Sequence, residues 1–499
     1  MPIWLFLLLI GAITYLIVQR NVANITRTPV WILWLVLMTP PGILTAWAMI
    51  YGNQTPMPPG LVIVPFVVCS LLYWVLLHRG RKVSKSEAIN PANPQNSEVE
   101  VQPKIEVSTD LSSVRPINKT EEDNLRNCFP WSIYYLENIE YRPQAVLCKG
   151  KLRAKPDVAY QTIRENVEQL FGDRFLLIFQ ESLSGTPFFA LVPNAIADPK
   201  SRVNTEPLKR PGLALTLLLV TLLTTTLIGT VVAGFSFNFK QVFSNPAILL
   251  QGLPYALALM TILGIHELGH YMAAVYYKIK ATLPYFIPIP FFLGTFGAFI
   301  QMRSPIPNRK VLFDVAIAGP LAGFIITLPL LFWGLTHSEV VPISAQSGIL
   351  NFESLDPRFS LLLTLLGKLA MGSELAAETA IHLHPVAVAG YIGLIVTALN
   401  LMPVGQLDGG HIVHAMYGQR TGAIVGQITR LLVLGLAFVQ PDLLIWAIVL
   451  LFMPATDEPA LNDVSELDNK RDIWGLVALS ILVIILLPVP KLLTALLHI

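Results

Sequence analysis

Two histidines flank a glutamate in the stretch Gly264-Ile265-His266-Glu267-Leu268-Gly269-His270. On a helix, residues four apart share a face, so the imidazoles of His266 and His270 are spaced to hold one Zn²⁺. Glu267 lies beside them, placed to take a proton from a water that such an ion activates. A pattern with three fixed positions also turns up by chance in soluble proteins. Here it sits inside an apolar run, Leu249 to Ala274, with almost no other charge. Ionisable groups at membrane depth are costly, so those present there point to function.

A second polar break follows far down the chain, at Asn400-Leu401-Met402-Pro403-Val404-Gly405-Gln406-Leu407-Asp408-Gly409-Gly410. Pro and Gly interrupt an apolar helix here, and broken helices of this kind line polar cavities. The carboxylate of Asp408 needs a partner at that depth. Two histidines and one carboxylate make a zinc set with a position left open for water, so His266, His270 and Asp408 are the expected ligands. His411 and His414 come soon after and read more readily as ordinary polar-face histidines than as support for the ligands.

The elements that must position these residues are membrane helices. Hydrophobic residues make up 54% of the chain and charged ones 13%, against about 25% charged in soluble domains, and the mean hydropathy is +0.60. With several apolar runs of about twenty residues, the chain reads as a polytopic α-helical membrane protein in a lipid bilayer. No basic cluster interleaved with aromatics is present, which argues against nucleic acid as a partner. Cys69, Cys128 and Cys148 show no C-x-x-C spacing, so neither a disulfide framework nor a thiolate zinc site is expected.

Three spans are expected first, at Ile3–Val18, Val30–Tyr51 and Leu61–His78, together covering residues 1–78. The chain enters the first directly, with no basic leader or transit-like segment. Arg79, Arg81, Lys82 and Lys85 then mark the cytoplasmic side. Residues 79–127, rich in Ser, Asn, Pro, Glu and Lys, read as a disordered linker. Residues 128–198 read as a small soluble α+β module: a strand at Ala145–Cys148, a helix from Pro156 to Leu170, and strands at Arg174–Gln180 and Phe188–Val192. A docking or regulatory role, with a partner of its own, is expected for it.

Lys200, Arg202, Lys209 and Arg210 precede the span Gly212–Gly234, and Lys278 and Lys280 follow the zinc helix, whose metal pair therefore faces the cytoplasmic half. Pro284 to Ile300 is apolar but broken by Pro288, Pro290, Gly294 and Gly297, and is expected to be a re-entrant hairpin or loop shielded by protein. Val311–Leu335 crosses outward carrying Ala318-Gly319-Pro320-Leu321-Ala322-Gly323, whose small residues are read as a close packing surface with no chemistry. Phe359–Met371 reads as interfacial. The span Pro385–Met402 runs inward and brings Asp408 to the depth of the histidines. Later spans are expected near Thr421–Val439, Leu443–Met453 and Ile473–Leu487. An acidic stretch, Asp457–Asp472, separates the last two.

The pairing of H-E-L-G-H with N-L-M-P-V-G-Q-L-D-G-G resembles the site-2 protease family of intramembrane zinc metalloproteases, over about Gly212 to Met453. Phe291–Arg309, the Ala-Gly-Pro-Leu-Ala-Gly stretch and the Cys148–Arg153 turn are similar to the branch found in cyanobacteria and plastids. That branch includes the plant proteins named for ethylene-dependent gravitropism deficiency and yellow-green leaves. The resemblance implies a metalloprotease core at 212–453, followed by an acidic loop and C-terminal span at 454–499. It implies one Zn²⁺ on His266, His270 and Asp408, with Glu267 as general base and Asn400 supporting the substrate or its oxyanion. It further implies that peptide bonds in or near a transmembrane segment of a membrane-protein substrate are cut. The location implied is a bacterial, in particular cyanobacterial, cell or thylakoid membrane, or a plastid membrane. A transporter, or a scaffold with a bound cation, is the competing reading. A transporter has no need of a glutamate flanked by two histidines at zinc spacing, and the intact set His266, Glu267, His270 and Asp408 argues against a scaffold.

Overall fold

The computed structural model describes residues 29–51, 117–142, 145–182, 185–194, 210–235, 244–343, 351–439, 443–454 and 456–497, with scattered residues between 11 and 76. The spans expected at Ile3–Val18 and Leu61–His78, and most of the expected linker, lie largely outside the described residues. The chain divides into two units, residues 1–107 and 108–499. In the first, the helix α1 (Val30–Tyr51) carries Pro40 and Pro41 inside it, and its Leu33 is fully buried against Leu37, Tyr73 and Leu76.

The second unit opens with α2 (Lys119–Asn127), inside the stretch read as linker. A capping box explains it: Asn118 and Glu121 satisfy each other's backbone amides, and Leu125 is fully buried in the soluble module. The module continues through β1 (Tyr134–Arg142), β2 (Ala145–Leu152), α3 (Pro156–Phe171), β3 (Phe175–Glu181) and β4 (Pro187–Pro193). The strands form one antiparallel sheet in the order β1-β2-β4-β3. The sequence reading lacked β1, whose alternation is broken by a bulge at Leu136/Asn138. Helix α3 presents Ala159, Tyr160, Ile163 and Val167 to the core, the one-face spacing of an amphipathic helix. Phe179 and Phe189 stack across the sheet at 4.1 Å. Cys128 and Cys148 are buried and unpaired there; burial pushes the Cys148 thiol up to about 12.

The rest of the unit is helical: α4 (Pro211–Val232), α5 (Leu249–Tyr276), the hairpin β5 (Tyr285–Pro288) and β6 (Thr295–Phe299), and α6 (Arg309–Thr336). Then come β7 (Glu339–Pro342), α7 (Leu361–Met371), β8 (Thr379–His382), α8 (Pro385–Leu401) and α9 (Asp408–Tyr417). Last are α10 (Gln419–Val439), α11 (Leu444–Phe452), α12 (Asn469–Leu486) and α13 (Lys491–Leu497). Five helices among the described residues are long and apolar enough to cross a membrane: α1, α4, α5, α6 and α10. The chain is an integral membrane protein. Helix α8 is apolar but shorter, and α12 begins Asn-Lys-Arg-Asp, so its apolar part falls short of the roughly 20 residues of a full crossing.

Small residues set the packing. Gly229 of α4 meets the backbone of Gly252 on α5, and Gly269 of α5 meets the Ala318 carbonyl on α6, with no room for a Cβ at either glycine. The β5–β6 hairpin lies against α4 and α5. Thr224 Oγ1 donates to the Gly294 carbonyl at 2.7 Å, and Tyr255 Oη to the Leu293 carbonyl at 3.0 Å. Gly294, at φ +82° with Thr225 Cα 2.5 Å from where a Cβ would stand, is a position that only glycine fills.

The acidic stretch after α11 does more than separate helices. Its main chain extends the module sheet: Phe179 N–H donates to the Leu461 carbonyl at 2.7 Å, and Asp463 N–H donates back to the Phe179 carbonyl at 2.9 Å. On its other side, the amides of Leu461 and Asn462 donate to the carbonyls of Ile306 and Pro307.

Candidate metal centre

Three helices and one loop bring the candidate residues together. His266 and His270 project from the second half of α5, and both are buried. Asp408 starts α9, after the chain leaves α8 at Leu401 and turns through Pro403 and Gly405. That turn holds Gly405 at φ +51°. The Asp408 carboxylate reaches both rings, with Oδ2 3.5 Å from His266 Nε2 and 3.3 Å from His270 Nε2. The two Nε2 atoms are 3.2 Å apart.

Three donors separated by 3.2–3.5 Å fit one face of a tetrahedron. With bonds of about 2.0–2.1 Å to a central Zn²⁺, its edge is about 3.3–3.4 Å. The donor set therefore suits a zinc ion with the fourth position open. His270 Nδ1–H donates to the Val315 carbonyl of α6 at 2.7 Å, which fixes the ring with Nε2 towards Asp408 and, in the neutral form, leaves that nitrogen free to bind a metal.

Glu267 is buried, and its carboxyl accepts a bond from the Ile300 backbone amide, immediately after β6. The hairpin thus touches the candidate base directly. Asn400, in the last turn of α8, places Nδ2 3.2 Å from His266 Nε2. All five residues singled out in the sequence, His266, Glu267, His270, Asn400 and Asp408, belong to one cluster or its immediate wall.

The small-residue stretch of α6 is packing, as expected, but what it packs on is the site. A Cβ on Gly319 would collide with the His270 ring, and one on Gly323 would stand 3.1 Å from His266 Cβ. Val315, which orients His270, carried no sequence signal, because a backbone carbonyl is supplied by any residue. His414 departs from the polar-face reading. It is 1% exposed, with Nδ1 2.6 Å from Asp457 Oδ2 and Nε2 2.8 Å from Asp463 Oδ1. His411 Nδ1 lies 2.8 Å from the same Asp457 oxygen.

Residues 254–439 match the model of peptidase family M50, and residues 123–199 match the EGY3 middle domain. The chain is 30% identical over 366 residues to the probable zinc metalloprotease EGY2, chloroplastic, of Arabidopsis thaliana, covering 72% of this chain and 63% of that protein. It is 30% identical over 371 residues to the Arabidopsis probable zinc metalloprotease EGY1, covering 69% and 66%. It is 24% identical over 384 residues to the rice (Oryza sativa subsp. indica) probable zinc metalloprotease EGY3, chloroplastic, covering 73% and 64%. The chain thus spans somewhat under two thirds of the length of these relatives. No solved structure matches it. The motifs, the helical frame and these matches agree: the chain carries a peptidase M50, or site-2 protease, domain joined to an EGY3 middle domain.

Proposed function

We propose that the protein is an intramembrane zinc metalloprotease that hydrolyses peptide bonds within or near transmembrane segments of other membrane proteins. The observation that carries this is the convergence of His266, His270 and Asp408, whose ligand atoms all lie within 4.8 Å of one another beside Glu267. These three residues would hold one Zn²⁺, which when bound lowers the pKa of water to about 7 and polarises the scissile carbonyl. Glu267 takes the proton of the attacking water and returns it to the leaving amine. Asn400 donates to the carbonyl oxygen as negative charge develops on it. The turn from Pro403 to Leu407 and the glycines of α6 hold the donors at fixed spacing, so little reorganisation is needed during reaction.

Pro284 to Ile300 is read as a re-entrant hairpin, since β5 and β6 pack on the middle of α4, a membrane-length helix. Each of its two strands keeps one edge without a strand partner among the described residues. An unwound substrate segment would add to such an edge, because a helix hides its own peptide bonds. Lys278 and Lys280, just past α5, favour a site facing the cytoplasm or its equivalent. The membrane proposed is a bacterial, in particular cyanobacterial, cell or thylakoid membrane or a plastid one, and the soluble module is proposed to carry a site for a regulatory partner.

The test is zinc content together with cleavage of a model single-span substrate in liposomes, wild type beside Glu267→Gln. Zinc in both with cleavage only by the wild type supports the reading. Absence of zinc from both overturns it, and cation transport would then be assayed.

A further inference from the structure

Residues 454 and 456–468 reach the turn that delivers Asp408, helix α9, the segment before α6 and the module sheet. The Pro454 carbonyl sits where a side chain on Gly405 would go, so this strap begins against the turn that delivers Asp408. Arg430 Nη2 pins that beginning, donating to the Met453 and Pro454 carbonyls at 2.8 and 2.7 Å. Asp457 and Asp463 then grip opposite nitrogens of His414. Between them, Leu461 and Asn462 bond the segment just before α6 and, through Phe179, the module sheet.

An imidazole with a carboxylate on each nitrogen carries a proton on both, and each contact is then a charge-assisted hydrogen bond. The groups facing His414 are Asp457 and Asp463 of the strap and His411 of its own helix, whose ring shares Asp457. Arg309 of α6 adds to the same junction, its Nε donating to the Ala415 carbonyl at 2.8 Å. His414 and Asp408 lie on the same short helix, separated by about 9 Å at 1.5 Å per residue. Nothing long or flexible intervenes.

The geometry points to His414 as a positioning residue: clamped by Asp457 and Asp463, it sets how α9 presents Asp408 to His266 and His270. The inference rests on the zinc reading above. It assigns a task to the two histidines and the acidic stretch that the proteolytic residues leave unused. Breaking the clamp should loosen the metal while leaving its three ligands chemically intact.

The whole 499-residue chain, loaded with zinc in detergent, is dialysed against a graded series of chelator, and retained zinc is measured by elemental analysis. His414→Gln and Asp463→Asn are compared with wild type and with Asp356→Asn. The Asp463 change removes one charge at nearly constant shape. Asp356 is an equally buried carboxylate, bonded to Arg358 beside α7, away from the strap. Expected is about 10-fold weaker retention in the first two, the lower end of what support of a metal ligand is worth. Asp356→Asn should retain zinc like wild type, and excess zinc should restore substrate cleavage to Asp463→Asn. Wild-type retention in both His414→Gln and Asp463→Asn overturns the positioning role. So does an equal loss in Asp356→Asn, which would mark general fragility. A wild type that retains no zinc overturns the metal reading itself, a result distinct from either.

Discussion

Gly319 lies so close to His270 that any side chain there would take the place of the imidazole. Helix α6 is therefore a wall shaped to the two imidazoles, and its small residues fix where the rings point. Gly319→Ala is expected to cut zinc retention by at least about tenfold, because His270 must rotate away from Asp408. Gly323→Ala, where the nearest approach is 3.1 Å, should do less. Elemental analysis of the two purified variants, each checked for retained helical content, decides between graded and equal effects.

Asn400 stands beside His266, its Nδ2 3.2 Å from Nε2. Its replacement by Ala should leave zinc in place and lower cleavage about 100- to 1,000-fold, the cost of losing one donor to a developing oxyanion. A zinc-depleted Asn400→Ala protein would instead make Asn400 part of the binding shell.

Gly294 and Gly297 both have positive φ, at +82° and +105°, but only Gly294 abuts another helix. Gly294→Val should push the hairpin off α4 and sharply slow cleavage of a membrane substrate, with zinc still held. Gly297→Ala faces open space and should cost only backbone strain, of order 1–3 kcal/mol. Cleavage rates for the pair, measured against zinc content, separate the hairpin's role from that of the metal; equal, unchanged turnover would remove the substrate-edge idea.

The strap should open with pH. Burial opposes the charge on His414, but its bonds to Asp457 and Asp463 outweigh that and hold it at about 9, above an ordinary 6.5. Burial likewise opposes the Asp457 charge, and His411 and His414 outweigh it, bringing Asp457 from 3.8 to about 2. A raised histidine stabilises fully below its ordinary value and loses that contribution as pH climbs through the folded one. A depressed carboxylate contributes above its ordinary value and loses that as pH falls through the folded one. The clamp is thus firmest between pH 3.8 and 6.5 and weakens towards 9 and towards 2. Amide exchange at Phe179 and Asp463, corrected for intrinsic rates, should show protection falling from pH 6.5 to 9 in wild type. His414→Gln should lack that dependence.

The sequence singled out His266 and His270 as candidate metal donors because the types and spacing that bonding demands are few, and because charge inside an apolar helix is too costly to be incidental. Asp408 was legible for the same reason, standing after a Pro/Gly break. The hairpin announced itself through Pro288, Pro290, Gly294 and Gly297, which no spanning helix would carry together. What stayed hidden depends on contacts between distant segments. His414 looks like any histidine until the chain has returned through residues 454–468 to place two carboxylates on it. Strand β1 was missed because its bulge spoils the period of two, and α2 because its charged surface outweighs the single buried Leu125. The contribution of Val315 is a carbonyl, invisible in any side-chain pattern.

Asn462 pairs in parallel with Phe179 on one side and Asn308 on the other, so one continuous ladder runs from the module sheet to the first residue before α6. The module is therefore not a bead on a string. The module and α6 should unfold as one cooperative unit, giving a single transition where a tethered domain would give two.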